Sequence, residues 1–168
     1  MQKSILNDEI ELSFEKVIDT NRVAKVIKGG RHFSFNATVV VGNKHGKIGI
    51  GMGKANEVIS AINKAKEIAR ENTFEFPLRN GTIPHSIIGK FCGSKVILKP
   101  ASLGTGIIAG GPIRAMLEVA GVENVLTKSL GSSTKHNIVK ATVIALKSLR
   151  SHKQVAKLRN KTISELLA

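Results

Sequence analysis

The chain has 168 residues, 42% of them hydrophobic, with 26 Lys plus Arg against 12 Asp plus Glu and a formal net charge of +14. That length allows one domain or two small ones with a real core, and the aliphatic content excludes a wholly disordered basic tail. The charge points to a polyanionic partner, while the lack of Trp and Tyr and the presence of only six Phe exclude base stacking on aromatics as the main grip on a nucleic acid.

In chain order, residues 1–12 have neither an apolar core nor an Arg-rich, acid-free pattern, so they predict no export or transit signal. Residues 22–27 predict a strand closed by Lys28-Gly29-Gly30. Residues 32–41 alternate, with Phe33, Phe35, Ala37, Val39 and Val41 on one side and His32, Ser34, Asn36 and Thr38 on the other, as in a half-buried strand. A turn at 42–46 and a return strand at 47–53 make a hairpin. Residues 56–71 switch to helical spacing, with Val58, Ala61, Ile62, Ala65, Ile68 and Ala69 as the apolar stripe. Pro77, Asn80-Gly81 and Pro84 then break the pattern and mark a boundary. Beyond it, residues 86–91 and 94–98 pair around Cys92-Gly93. A helix runs from Gly111-Pro112 to Gly121, with Pro in the favoured first position. A strand at 125–130 and a helix capped by Ser132 or Ser133, with Ile138, Ala141, Ala145 and Leu149 inward, complete the second half. Residues 151–161 form a basic tail ending in a short amphipathic piece at 163–167. The fold class is α+β, in two small domains of order βββα and ββαβα. Their bounds are 12–75 and 84–150, with the tail at 151–168.

No apolar run exceeds the four residues 143–146, so no helix spans a bilayer and no membrane partner is expected. The lone Cys92 excludes an internal disulfide framework and fits a reducing cytoplasm. Gly104-x-Gly106-x-x-Ala109 matches a dinucleotide fingerprint, but Pro100 and Ser102 separate it from the preceding strand, and Glu123 stands before the next strand rather than at its end. His85 and Cys92 alone make no zinc site, and the other histidines are scattered among bases. No nucleophile, base and orienter assemble. The sequence therefore predicts a binding protein, with no enzyme activity and no cofactor.

The charges are segregated. Seven bases and no acid lie between Asp19 and Glu57, and nine bases and no acid between Glu123 and Glu165. Runs of one sign repel each other unless a polyphosphate compensates. Two features in the first run suit a sugar–phosphate backbone. Arg22, Lys25, Lys28 and Arg31 flank the Gly29-Gly30 turn, whose amides can also meet phosphate oxygens. Gly49, Gly51 and Gly53 share one face of a strand, with Ile48, Ile50 and Met52 on the core side and Lys44, Lys47 and Lys54 nearby. Three glycines in period two mean that another backbone approaches that face, either that of RNA or that of a helix crossing the sheet.

Asn21-Arg-Val-Ala-Lys-Val-Ile-Lys-Gly-Gly-Arg31, Phe33-Ser-Phe, Val39-Val-Val-Gly42, Gly49-x-Gly-x-Gly-Lys-Ala55 and Glu57-Val58 resemble the amino-terminal signature of the bacterial fifth small-subunit ribosomal protein family. Pro100-Ala-Ser-x-Gly104-Thr-Gly-Ile-Ile-Ala-Gly-Gly111, Arg114-Ala and Leu117-Glu-Val-Ala-Gly121 are similar to its carboxy-terminal half. The resemblance implies a first domain like the double-stranded-RNA-binding fold and a second with a left-handed crossover. It implies a cytoplasmic ribosomal protein without catalysis, which binds small-subunit rRNA at the junction of body and head, lies near messenger RNA where it enters, and supports decoding fidelity and subunit assembly. It further implies that residues 22–31 touch the rRNA helix adjoining the spectinomycin site. Gly104 and Arg114 would face the fourth small-subunit protein, and the carboxy-terminal part the eighth. The alternative is a free double-stranded-RNA-binding regulator using the first domain alone.

Overall fold

The computed structural model describes residues 12–162 and residue 165. The expected amphipathic piece at 163–167 lies outside the described residues apart from Glu165. The chain forms two compact units. The first takes in the chain through Glu75 together with Gly111–Gly121, and the second Phe76–Gly110 together with the chain from Val122 onward. The helix at 111–121 is thus reached from the second unit in sequence but clusters with the first.

In the first unit β1 (Phe14–Ile27), β2 (Gly30–Gly42), β3 (Lys47–Ala55) and β4 (Thr73–Glu75) form an antiparallel sheet in the order β1-β2-β3-β4. Helix α1 (Val58–Glu71) packs on β2 and β3. The core on that side is Leu12, Ala37, Val39, Val41, Ala61, Ala65 and Ala69. The alternation of β2 sets this arrangement, because Ala37, Val39 and Val41 stand opposite Gly53, Gly51 and Gly49 and share their face. The sidedness expected of β3 therefore holds only at Ile48, which is fully buried. The glycine face is buried throughout beneath α1, and Ile50 and Met52 are only half-buried on the other. Hydropathy marks the isoleucines as core, but a helix backbone resting on the sheet needs the positions without side chains.

Helix α2 (Gly111–Ala120) packs against β1 and β2 on the opposite face. A Cβ on Gly42 would lie 2.6 Å from the Val119 carbonyl oxygen, and one on Gly121 only 1.9 Å from that of Lys44. Adjacent residues of β1 reach opposite helices. Glu15 pairs with Lys66 at 2.6 Å and Arg70 at 3.0 Å on α1, while Lys16 pairs with Glu118 on α2.

In the second unit β5 (Ile87–Phe91), β6 (Ser94–Pro100), β7 (Ile107–Ile108) and β8 (Val125–Gly131) form a mixed sheet in the order β5-β6-β8-β7, with β7 parallel to β8. Helix α3 (Lys135–Lys147) packs on β5 and β6, burying Val96, Leu98, Ile138, Ala141, Ala145 and Leu146. Its N-cap is Thr134, not the expected Ser132 or Ser133. The Ser132 N–H instead donates to the Gly93 carbonyl, which holds that residue to the sheet. Asn80 (φ 49°) and Gly81 (φ 72°) form the tight turn closed by the Arg79–Thr82 backbone pair. The tail contains a helix, α4 (His152–Leu158), started by a capping box in which the Ser151 hydroxyl accepts from the Gln154 N–H and the Gln154 side chain accepts from the Ser151 N–H. The architecture is α+β, as expected, with β4, β7 and α4 added to the expected elements. No helix among the described residues is long and apolar enough to cross a membrane.

Candidate nucleic-acid interface

β3 pairs with β2 only as far as Phe35, so beyond that point β1 and β2 pair with each other alone. They project as a two-stranded arm of about five residues, or ~17 Å. Lys28 and Gly29 form its two-residue tip between Ile27 and Gly30, and Gly30 takes φ +135°. Nothing lies within 4 Å of a Cβ added at Gly29 or Gly30, so the tip backbone is open to a partner.

The register distributes the charges. Cross-strand partners share a face, so Arg22, opposite Phe35, and Arg31, opposite Val26, lie on the α1 side. Lys25 and His32 are directly opposite each other on the other side, and Lys28 is at the tip. The Arg22 guanidinium stacks 3.6 Å from the centre of the Phe33 ring, which orients it on that face. Val26 is 74% exposed and Ile27 47%, so the tip carries apolar surface between its cations. The arm has no core of its own: a basic ribbon with cations on both faces offers contact to phosphates on either side of it.

The sequence-predicted residues divide into three groups. Arg22, Lys25, Lys28, Gly29, Gly30 and Arg31 come together on the arm, and Lys54, opposite Asn36, stands at its base. Lys44 and Lys47 lie at the far end of the sheet, where β2 turns into β3, ~36 Å along β2 from Arg31. Lys44 has φ 59° and sits 3.9 Å above the Phe14 ring, and Asn43 Oδ1 shapes the turn by accepting from the N–H groups of His45 and Lys47. The glycine stripe is a correction. A Cβ on Gly49 would lie 2.0 Å from the Ala69 carbonyl oxygen, on Gly51 2.0 Å from that of Ala65, and on Gly53 2.2 Å from that of Ala61. The backbone visiting that face is the protein's own helix, and it leaves no room for RNA.

Gly104 lies in the second unit, in a loop closed by Thr105, whose hydroxyl donates to the Ser102 carbonyl. Its φ is +87° and a Cβ there would meet nothing. The loop is anchored by Asn124, which is buried and whose Oδ1 accepts from the Gly106 N–H at 3.1 Å. Arg114 lies in the first unit on α2, one turn before Glu118 and 3.5 Å from it. The loop has the glycines of a dinucleotide fingerprint but not its strand–turn–helix frame, because β7 and Gly110 intervene before α2.

Sequence reasoning named no nucleic-acid contact in the second unit. By register, Lys90, Lys95, Lys99 and Lys128 share the sheet face turned away from α3. The spacing of the paired strands could have shown this. No cluster of three or more His, Cys, Asp or Glu that could hold a metal occurs among the described residues, and Cys92 is exposed in the β5–β6 turn.

Residues 14–77 match the family description "ribosomal protein S5, N-terminal domain", and residues 89–159 match "ribosomal protein S5, C-terminal domain". Among curated relatives, the small ribosomal subunit protein uS5 of Syntrophobacter fumaroxidans is 54% identical over 152 residues, covering 90% of this chain and 92% of the relative. The uS5 of Buchnera aphidicola subsp. Baizongia pistaciae is 55% identical over 153 residues, covering 91% and 90%. That of Salinibacter ruber is 56% identical over 146 residues, covering 87% and 83%.

Proposed function

Because the chain belongs to the uS5 family of small-subunit ribosomal proteins, structural constituents rather than enzymes, we propose that its β1–β2 arm is the element that grips small-subunit rRNA, by its phosphates, at the junction of body and head. The observation that carries this reading is the register of the arm. Arg22 and Arg31 face one way, Lys25 and His32 the other, and Lys28 caps an open Gly29-Gly30 tip, with Lys54 at the base. In this reading the protein works in the cytoplasm, supports subunit assembly and decoding fidelity, and lies beside messenger RNA where it enters. The Gly104 loop and Arg114 meet the fourth small-subunit protein, and the eighth is a further neighbour.

The test is the salt dependence of binding to a duplex-rich small-subunit rRNA fragment. With about eight phosphates neutralised, log affinity falls against log salt with a slope near −7. Replacing Lys28 and Arg31 by Gln makes that slope shallower by about 2. A slope near zero for the unaltered protein overturns the proposal, and protein that sediments apart from the small subunit in a lysate overturns it in favour of a free RNA-binding regulator.

A further inference from the structure

The two units do not share the charge evenly. The first holds thirteen Lys and Arg against ten Asp and Glu, a net of +3, whereas the second holds thirteen against two, Glu123 and Glu165, a net of +11. The arm lies in the first unit, so it accounts for little of the excess. Within the second unit, residues 148–162 carry five bases and no acid.

These bases gather around α4. On one side a cleft of about 200 Å³ is lined by His85, Arg150, His152 and Arg159. On the other, a groove of about 800 Å³ is lined by Lys147, Arg150 and Lys157 together with Leu149 and Leu158. Arg150 borders both. The frame around them is built from hydrogen bonds. The Ser86 carbonyl can only accept, so His85 Nδ1–H donates to it at 3.0 Å, which leaves Nε2 to accept from the Arg150 N–H at 3.1 Å. A guanidinium can only donate, so Arg79 Nη1 donates to His152 Nε2 at 3.1 Å. With the capping box at Ser151, these bonds hold the start of α4 and leave the guanidinium groups of Arg150 and Arg159 at the surface. Among the described residues no carboxylate pairs with Arg150, Lys157 or Arg159. Glu165, the only acid nearby in sequence, accepts from the Thr162 N–H.

We propose that α4 and its two flanking clefts form a second RNA-backbone site, in which Arg150, Lys157 and Arg159 bind phosphodiester groups. Guanidinium forks match phosphate oxygens in pairs, and cations set on both sides of one short helix follow a line of phosphates better than they would a single carboxylate. The inference rests on the rRNA-binding reading above but concerns a different unit.

The experiment uses the full chain with the same rRNA fragment. Replacing Arg150, Lys157 and Arg159 together by Gln makes the salt slope shallower by about 2–3 and weakens binding at 0.1 M salt on the order of a hundredfold. The charge-retaining pair R150K and R159K keeps the slope. Circular dichroism checks that the triple variant is folded. If it is not, K157Q with K161Q, which removes no hydrogen bond described above, replaces it and makes the slope shallower by about 1–2. An unchanged slope in the folded variant overturns the proposal. So does loss of binding to a poly-aspartate peptide with the RNA slope intact, which identifies an acidic protein as the occupant. The arm variant at Lys28 and Arg31 separates the two readings, since each variant lowers the slope only if its own site is engaged.

Discussion

Replacing Gly51 by Ala tests the packing of the first unit most directly. The added Cβ would lie 2.0 Å from the Ala65 carbonyl oxygen, 2.5 Å from the Ala69 nitrogen and 3.0 Å from the Ala69 Cα. All three are backbone atoms, so no side chain can rotate away and α1 must lift by more than 1 Å. The seat is periodic: two strand residues advance ~6.6 Å and four helix residues ~6 Å, which is why Gly49, Gly51 and Gly53 meet Ala69, Ala65 and Ala61 in turn. Lifting the helix at its centre therefore loosens the other two contacts as well. Overpacking costs about 1–3 kcal/mol, and this case belongs at the upper end. Ala recovers about 0.5–1 kcal/mol through a less mobile unfolded chain. The net loss is about 2–2.5 kcal/mol. With a urea dependence of about 2 kcal/mol per M, the midpoint followed by circular dichroism falls by roughly 1–1.25 M. Gly29→Ala, at the open tip, changes stability by less than about 0.5 kcal/mol. A fall of under ~0.3 M for G51A refutes the helix-seat argument, most decisively if the RNA salt slope is lost at the same time.

At Glu15, partial burial pushes the carboxyl up, but the hydrogen bonds and charges of Lys66 and Arg70 outweigh it and hold the group below its ordinary value. Its stabilisation is therefore complete above the unfolded carboxylate range near ~4.3 and is lost as pH falls through the folded value. Glu15→Gln costs about 0.5–1 kcal/mol at pH 7 in urea unfolding, and the difference from the unaltered protein vanishes as pH falls through the folded value. His136 is held below its ordinary value by burial and then by the charge of Lys140. The unfolded chain thus takes up a proton near pH ~6.5 that the folded chain refuses, and stability falls as pH drops below that. Lys140→Gln raises the His136 titration midpoint observed by NMR, and an unmoved midpoint refutes the assignment. Asn124→Ala leaves the Gly106 N–H without its acceptor, costs about 1–3 kcal/mol and speeds amide exchange at Gly106.

Much of the fold is legible where side-chain pattern and backbone period coincide. The alternation from Phe33 to Val41 yields β2 and its buried face, and the stripe through Ala61, Ala65 and Ala69 yields α1. The basic arm is legible because its turn glycines and its charges are adjacent in sequence. The sidedness of β3 is not, since glycine carries no hydropathy and only the helix above decides which face is inside. β4 and β7 have three and two residues, too few to show a period. α4 is hidden among its own charges, although Ser151-x-x-Gln154 is a capping signature. The association of α2 with the first unit has no local signal, because it depends on Val119 and Gly121 meeting Gly42 and Lys44.

That interleaving sets an order of events during synthesis. The first sheet is finished when Glu75 has been added, but the helix that closes its second face ends only at Gly121. At 5–20 residues per second, about two to nine seconds separate the two. For that interval the nascent sheet has α1 on one side and, among the described residues, no helix on the other, although Val40 and Ile48 on that side are fully buried in the finished protein. A fragment cut at the Pro77–Pro84 break would hold the chain permanently in that half-covered state. The smallest piece of this protein that folds as the first unit therefore extends through residue 121, well past the break in its sequence pattern.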